Sequence, residues 1–566
     1  MAIDVTIKIG GEAGQGIQTV GQLLALTCQQ AGLYVMGIND FESRIRGGHN
    51  FFKIRISDKL VCAPHHRVNL LVAMDRNTLQ LHRDQVLPEG LIITNDEQTG
   101  RSGSTLFMPI FELAKKAGSL ITANTVAAGS TLALLGAPFE LFEEVLNKQF
   151  KGKSNKITEQ NIAAANLGYE AVSEVDFSYS FDWAAADKKG MLIEGSQALA
   201  LGALAGDCRF ASFYPMSPAT SIMLHLVSWQ DRFPLVVEQA EDEIAAVNMI
   251  IGASFAGVRS ITATSGGGFC LMTEGLGLAG ITETPIVIIN AQRPGPATGL
   301  ATRTAQGDLQ FVIRAAQDDS PRFVFAPGSP EEAFETTARA LSLAEKYQCP
   351  AIILVDQFFN DSLYIIKDRF SAPKSIERSI ADDSSIKEDE EYRRYAFTES
   401  GISPMALPCR GRAIVMSSGN EHSEDGHLSE STDDRNNMVD KRARKQAGML
   451  SEMRAPKAYH HEADTLLAGW GSTSGIIQEA VDLLRADGVD AGCVHFCDLW
   501  PFPSKTAHQM LSKAVNLFVV EQNSTGQFAQ LLRQETGLTS SGKILKYDGR
   551  PFYPSEVFSR AKNLLE

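Results

Sequence analysis

The chain has 566 residues, 44% apolar and 21% charged, which suits several globular domains of about 100–200 residues each and excludes wholesale disorder. Acidic residues outnumber basic ones, 67 to 52, for a formal net charge of −15; the one basic cluster, Asp440 to Lys445, sits in a polar segment, so no nucleic-acid partner is expected. No apolar run reaches the roughly 18 residues of a membrane span, no charged-then-apolar leader opens the chain, and eight cysteines without a Cys-x-x-Cys pair fit reduced thiols in the cytoplasm, with no iron–sulfur or zinc site of the chain's own.

The first block, residues 1–175, opens on a strand in which Val5, Ile7 and Ile9 alternate with polar residues. A glycine-rich turn follows, then a helix from Ile17 to about Ala31. Further strands are predicted at Phe51–Ile56, Asn69–Ala73 and Leu91–Thr94, so strand and helix alternate over a largely parallel sheet. The turn, Gly10-Gly11-Glu12-Ala13-Gly14-Gln15-Gly16, has the strand–loop–helix setting of a phosphate cradle. Its spacing is not the dinucleotide fingerprint, and a plain tight turn is the alternative. Arg46-Gly47-Gly48-His49 is by itself a turn with an arginine. Val175–Lys189 reads as a linker.

The second block, residues 190–370, carries strands at Pro234–Glu238, Ser260–Thr264, Pro285–Asn290 and Pro350–Asp356, with helices at Glu241–Gly257 and Pro330–Tyr347. In such sheets ligands bind beyond the carboxyl ends of the strands, and four of those ends are unusual. Tyr214-Pro215-Met216-Ser217-Pro218 offers Ser217 either as a helix cap followed by proline or as a hydroxyl at a carboxylate site. Glu241 and Asp242 suit a helix's first turn. Glu243 immediately precedes the apolar run Ile244–Val247, and if it points inward it is placed to share a proton. Ser265-Gly266-Gly267-Gly268 lets a ligand approach the backbone, or is a flexible turn. Arg293, after the Pro285–Asn290 strand, and Arg303 suit a carboxylate held by parallel hydrogen bonds, or a surface ion pair. Residues 371–459 read as a polar linker with surface excursions: 371–400 are charged, with Lys387–Glu391 at their centre, and 418–457 are similarly polar. The third block, 460–566, has strands at Thr465–Leu467, Ala491–Phe496 and Leu517–Val520.

Together these segments resemble the 2-oxoacid:ferredoxin oxidoreductases over nearly the whole chain. The first block resembles the family's γ domain through Gly-Gly-x-x-Gly-Gln-Gly-Ile and the Arg44-Ile45-Arg46-Gly47-Gly48 motif. The middle block resembles the α-subunit domain that holds the pyrimidine of thiamine diphosphate, with Glu194-Gly195-Ser196-Gln197-Ala198 ahead of the Tyr-Pro-x-Ser-Pro element. The C-terminal block is similar to a transketolase C-terminal-type domain. The segments Gly295-Pro296-Ala297-Thr298-Gly299-Leu300, Thr302 to Asp308, and Ser418 to His427 match the branch with γ fused ahead of α, which typically takes 2-oxoglutarate.

The resemblance implies an α/β fold of three mostly parallel open sheets. It also implies thiamine-dependent oxidative decarboxylation of a 2-oxoacid to an acyl-CoA, with electrons passed singly to ferredoxin through [4Fe–4S] clusters. Glu243 would bind the aminopyrimidine nitrogen, beside Tyr214, Pro215, Ser265, Gly266 and Gly267; Ser217 and Arg293 would bind the substrate carboxylate. Arg303 is a candidate for a distal carboxylate, and Gly11, Gly14, Gln15 and Gly16 for coenzyme A. The chain has no Gly-Asp-Gly element for Mg²⁺ and the diphosphate, and no cysteine set for a cluster. In the family both lie on a separate β subunit, so half an enzyme is expected, completed in an α2β2 complex. Pyruvate or a branched or aryl oxoacid is the alternative substrate, and a non-catalytic assembly subunit the alternative of another class. His422 and His427 read as a structural loop rather than a metal pair.

Overall fold

The computed structural model describes residues 3–41, 48–97, 104–177, 179, 181–184, 190–382, 384, 386 and 391–566. The Arg44–Gly47 part of the second glycine motif and residues 387–390 of the acidic run lie outside them. Two compact units are formed. The first takes Met1–Glu194, Ser362–Arg369 and Tyr553–Ser555; the second takes Gly195–Asp361, Phe370–Phe552 and Glu556–Glu566.

The first unit is built on an eight-stranded sheet. Its spatial order is Thr105–Phe107, Val86–Thr94, Val68–Ala73, Asp4–Glu12, His49–Ser57, Tyr34–Phe41, Ser362–Ile366 and Met191–Glu194. The half from Thr105–Phe107 to Asp4–Glu12 is parallel, as expected. The other half is antiparallel, so this sheet is mixed rather than largely parallel. The reason is local: Tyr34–Phe41 and His49–Ser57 follow one another without room for a crossover helix, and only antiparallel strands can be joined that way. Two of the strands, Met191–Glu194 and Ser362–Ile366, come from inside the second sequence block.

Val5, Ile7 and Ile9 are fully buried, but so are Thr6 and Lys8 on the opposite face. The alternation therefore separates an apolar core from an interior polar layer, not from water. Lys8 Nζ lies 4.1 Å above the Phe51 ring and bonds to Gln85 Oε1 at 2.6 Å and His82 Nδ1 at 3.2 Å. Within 175–189, read as a linker, Phe181 and Trp183 are buried in the core, and Trp183 Nε1 donates to Leu135 O. An aromatic pair with a satisfied indole is an anchor.

The second unit holds two sheets. The seven-stranded one runs Asp498–Trp500, Phe323–Phe325, Ala351–Asp356, Val287–Gln292, Ser260–Thr264, Phe210–Phe213 and Val236–Gln239, parallel except for Asp498–Trp500. The five-stranded one runs Lys457–Tyr459, Ala491–Phe496, Thr465–Trp470, Asn516–Glu521 and Gly542–Leu545. One continuous core joins them: Ile288, Val324 and Leu354 belong to the same buried cluster as Leu466, Trp470, Phe496 and Phe528.

The polar segment between the blocks is docked on this unit. It contains a helix, Thr432–Glu452, whose buried face is Met438, Lys441, Arg442, Lys445 and Met449. Lysines on a buried face cannot be found by hydropathy, which is why this segment reads as solvated. Their partner is Glu283, 1% exposed, which accepts from Lys441 Nζ at 2.6 and 2.8 Å and also from Lys445 Nζ.

Burial alone would raise the Glu283 pKa, but Lys445, Lys441 and Arg394 outweigh it and hold the carboxyl well below its usual range. A depressed carboxylate contributes stability that is complete above its unfolded pKa, about 4.3, and is lost as pH falls below that. Urea denaturation followed from pH 7 to pH 3 should show this loss below about pH 4.3 in the native chain and not in Glu283→Gln. At pH 7 that variant, which leaves two buried lysines without their anion, should lose about 3–5 kcal/mol.

Candidate active site

The carboxyl ends of the seven-stranded sheet gather most of the residues singled out in the sequence. Asp242 caps the Glu243–Phe255 helix, its side chain accepting from Ala245 N at 2.7 Å. That places Glu243 at the first helical position with its side chain turned inward, 2% exposed. Its Oε1 is buried and has no hydrogen-bond partner among the described residues.

The three glycines after Ser265 are not a loop. They form the first turn of the Gly266–Ile281 helix, with Ser265 at the cap position making no side-chain cap bond; Ser265 Oγ donates instead to Met216 Sδ. The glycines are needed for space. A Cβ on Gly268 would stand 2.5 Å from Glu243 Oε1 and 2.0 Å from Thr264 Oγ1, and one on Gly266 would stand 2.5 Å from Asp308 Oδ2. Two carboxyls therefore press on the backbone of one helix head. Gly267 faces open space, its nearest neighbour being Ala297 O at 3.8 Å.

Ser217 is not a helix cap. A turn closed by Ala219 N donating to Met216 O at 2.8 Å delays the next helix to Thr220, with Ala219 at its cap position. The Ser217 carbonyl accepts from Arg293 Nη1 at 2.7 Å. Burial pulls the Arg293 pKa down and the Glu243 charge pulls it up, as expected of two groups that sense each other. Tyr214, 37% exposed, and Pro215 form the outer rim of this turn. Arg303 has its stem against Gly549 and its Nη1 donating to Thr302 O at 3.2 Å.

Sequence reading missed three residues here. Asp308 was only part of a motif; its carboxyl, raised in pKa by burial, accepts from Asn290 Nδ2 at 3.1 Å. Asn290 ends the predicted Pro285–Asn290 strand, and Asn360 follows the Ala351–Asp356 strand. Both are fully buried, and each has an Oδ1 without a partner. Asn360 Nδ2 donates to Pro218 O at 3.4 Å. Only their nearness to strand ends could have marked them, and Asn290 in fact lies inside the strand, which runs Val287–Gln292. With Arg293 Nε, also buried and unpartnered among the described residues, and Glu243 Oε1, four such atoms lie at this edge of the sheet, while others are scattered elsewhere in both units. Each such atom costs about 1–3 kcal/mol, and native interiors keep them rare unless a ligand completes them.

In the first unit, Gly10, Gly11 and Glu12 belong to the strand, and the turn proper is 13–16. Gly16 (φ 74°) stands at the cap position of the Ile17–Gln30 helix without a side-chain cap. Gln15 Oε1 accepts from Glu12 N at 3.0 Å and fills the space beside Gly11. Gly14 (φ 99°) has open space around it. The strands Asp4–Glu12 and Val68–Ala73 lie side by side and parallel, so the turn leaves the sheet at the carboxyl ends of parallel strands, where ligands of such sheets bind. Beside Gly10 lie His49 and Thr78, and His49 Nε2 is 2.7 Å from His82 Nε2. Burial, aided by Lys8, lowers the His82 pKa to about 2, so it is neutral.

Comparison with known proteins assigns this arrangement to a class. Residues 201–441 match the thiamine-diphosphate-binding family described as "Pyruvate flavodoxin/ferredoxin oxidoreductase, thiamine diP-bdg". Residues 6–171 match "Pyruvate ferredoxin/flavodoxin oxidoreductase", and residues 463–557 match "Pyruvate:ferredoxin oxidoreductase core domain II". The chain is 32% identical to a 2-oxoacid:ferredoxin oxidoreductase subunit alpha of a Sulfolobus species, covering 97% of this chain and 95% of that one. It is 29% identical to the 2-oxoglutarate oxidoreductase subunit KorA of Mycobacterium tuberculosis, covering 98% and 90%. A solved structure of 2-oxoglutarate:ferredoxin oxidoreductase from Magnetococcus marinus, with 2-oxoglutarate, coenzyme A and succinyl-CoA bound, superposes with a TM-score of 0.91 at 30% identity over 100% of both chains. The chain belongs to the 2-oxoacid:ferredoxin oxidoreductase family, as an alpha-type subunit, and is thus part of an oxidoreductase with a thiamine-diphosphate-binding domain. Among the described residues no helix is long and apolar enough to cross a membrane.

The close packing at the helix head is testable without any ligand. Gly268→Ala should lower stability by about 1–3 kcal/mol through overpacking. Gly267→Ala, one residue away in open space, should be neutral or stabilising by up to about 1 kcal/mol. Urea denaturation midpoints of the two variants decide.

Proposed function

We propose that this chain is the fused gamma/alpha subunit of a 2-oxoglutarate:ferredoxin oxidoreductase. The reaction would be 2-oxoglutarate + CoA + 2 oxidised ferredoxin → succinyl-CoA + CO₂ + 2 reduced ferredoxin + H⁺, in either direction according to the ferredoxin potential. The observation that carries this is the buried, unpartnered Glu243 Oε1 at the glycine head of a helix, within electrostatic reach of Arg293.

These residues fit thiamine diphosphate. When bound, the cofactor supplies the nucleophilic carbon and the electron sink that decarboxylation needs. Glu243 would hold a proton at N1′ of its aminopyrimidine. Ser265, Gly266 and Gly267, with Tyr214 and Pro215, would line the ring, since the open face of Gly267 leaves room at the backbone. Arg293, already oriented by the Ser217 carbonyl, would hold the oxoacid's carboxylate until it leaves as CO₂, and Ser217 would stand beside it. Arg303 would take the distal carboxylate, and Gly11 at the strand's end, with Gly14, Gln15 and Gly16 of the turn, would contact coenzyme A at the strand ends of the first sheet.

Residues 1–175 would then act as the γ-type domain, 190–370 as the pyrimidine domain, 371–459 as the connecting segment and 460–566 as the transketolase C-terminal-like domain. Mg²⁺ and [4Fe–4S] would lie on a β subunit, in an α2β2 complex that passes electrons to ferredoxin.

The test is turnover by the chain co-expressed anaerobically with its β partner, as CoA-dependent reduction of a low-potential acceptor. The complex should prefer 2-oxoglutarate to pyruvate; the reverse preference replaces the substrate and keeps the chemistry. Glu243→Gln should lower kcat by about 10²–10⁴. Arg293→Met should raise KM for the oxoacid roughly 10- to 100-fold, the worth of a hydrogen bond to a charged group. Full activity of Glu243→Gln would support a non-catalytic role for this chain.

A further inference from the structure

The Gly266–Ile281 helix carries the site at its head, yet by composition it is a poor helix. Its sequence, GGGFCLMTEGLGLAGI, is rich in glycine, the least helix-favouring residue after proline. Several of these glycines are required by their neighbours: beyond Gly266 and Gly268, a Cβ on Gly275 would meet Val247 at 2.6 Å. What holds the helix is found at its other end.

A helix leaves its last carbonyls without intrahelical donors. Here each of them has found one. Leu278, Ala279 and Gly280 accept from the backbone N–H groups of Thr282, Thr284 and Glu283. The next three carbonyls take donors from the polar segment 371–459. His422 Nε2 lies 3.2 Å from Ile281 O, the Tyr395 hydroxyl donates to Thr282 O at 3.2 Å, and Arg394 Nη2 donates to Glu283 O at 2.8 Å. The donors form one assembly. The Tyr395 ring packs on His422 at 3.9 Å between centroids, and the Arg394 guanidinium lies 4.9 Å from the Tyr395 ring centre. Tyr395 and His422 are fully buried. Lys441 and Lys445 close on the Glu283 side chain from the docked helix. Cations at this end also complement the negative pole of the helix dipole.

We propose that Arg394, Tyr395 and His422 are positioning residues of the active site. The segment that contains them is a clamp on the tail of the Gly266–Ile281 helix, and through that roughly 24 Å rod it sets where the glycine head stands against Glu243. The catalytic part rests on the function proposed above; the mechanical part does not. A displacement of about 1 Å at a reacting centre is enough to cost turnover without changing substrate affinity.

The experiment compares the native chain with Tyr395→Phe, His422→Leu, His422→Gln and the Tyr395→Phe/His422→Leu pair. Hydrogen–deuterium exchange of the full chain is the first readout. The pair should speed exchange of the Phe269–Thr273 amides, the first hydrogen-bonded turn of the helix head, about fivefold or more, and His422→Gln, which keeps a donor, should restore most of the protection. Acceleration confined to residues 278–284 would overturn the proposal, leaving a local cap. The other readout is turnover in the assembled complex. There kcat should fall about tenfold while KM for 2-oxoglutarate stays within about twofold; an unchanged kcat, or a rise in KM alone, would equally overturn it. If the pair does not fold, the single variants are read by the same criteria. A native complex with no oxoacid turnover would remove the functional reading, and the exchange data would still decide whether the clamp exists.

Discussion

A carboxyl group buried at the first turn of a helix, with one oxygen given no donor, is an arrangement that folding opposes. In this chain much else is arranged around that group. Asp242 caps the helix so that Glu243 turns inward. Gly268 has no side chain because the Glu243 carboxyl and the Thr264 hydroxyl occupy its place. Arg293, held by the Ser217 carbonyl, supplies the nearby positive charge. The second carboxyl, Asp308, is accommodated in the same way by Gly266 and tied to Asn290. Strain retained in a native fold usually marks the place where function needs it.

What could be read from the sequence follows from what kind of signal each element carries. The Ser260–Thr264 strand and the Pro330–Tyr347 helix have the same limits in the sequence reading and in the structure. Each is apolar and periodic, with the helix marked by a serine cap and proline at its start. The inward turn of Glu243 was legible because the apolar run begins at the next residue. The glycine head was not: glycines after a strand ordinarily mean a turn, and only the three-dimensional closeness of Glu243 and Asp308 shows why a helix there must begin with them. At Ser217 the cap was one of two readings; Ser-Pro is a good signal for it, and the Met216–Ala219 turn overrides that one.

Charge concealed the rest. Lys441, Lys445 and Arg394 are buried against Glu283 and its carbonyl, and Lys8 is buried beneath Phe51. Hydropathy places all four in solvent, because a buried ion is stable only through partners far away in sequence. Glu283 and Lys441 are separated by 158 positions. The same blindness hid the docking of the polar segment and the clamp it forms.

The core shared by the two sheets of the second unit bears on how the protein is made. A ribosome that has reached Asp356 has produced every strand of the larger sheet except Asp498–Trp500, but the residues that seal its core, Trp470, Phe496 and Phe528, are still to come. Until then the cluster that Ile288, Val324 and Leu354 share with Phe269, Met272 and Leu309 is only partly assembled. The first unit also waits, for Ser362–Ile366 and for Tyr553–Ser555 near the chain's end. Neither unit can be completed before its C-terminal residues are made, so final packing of both waits for the last block of the chain.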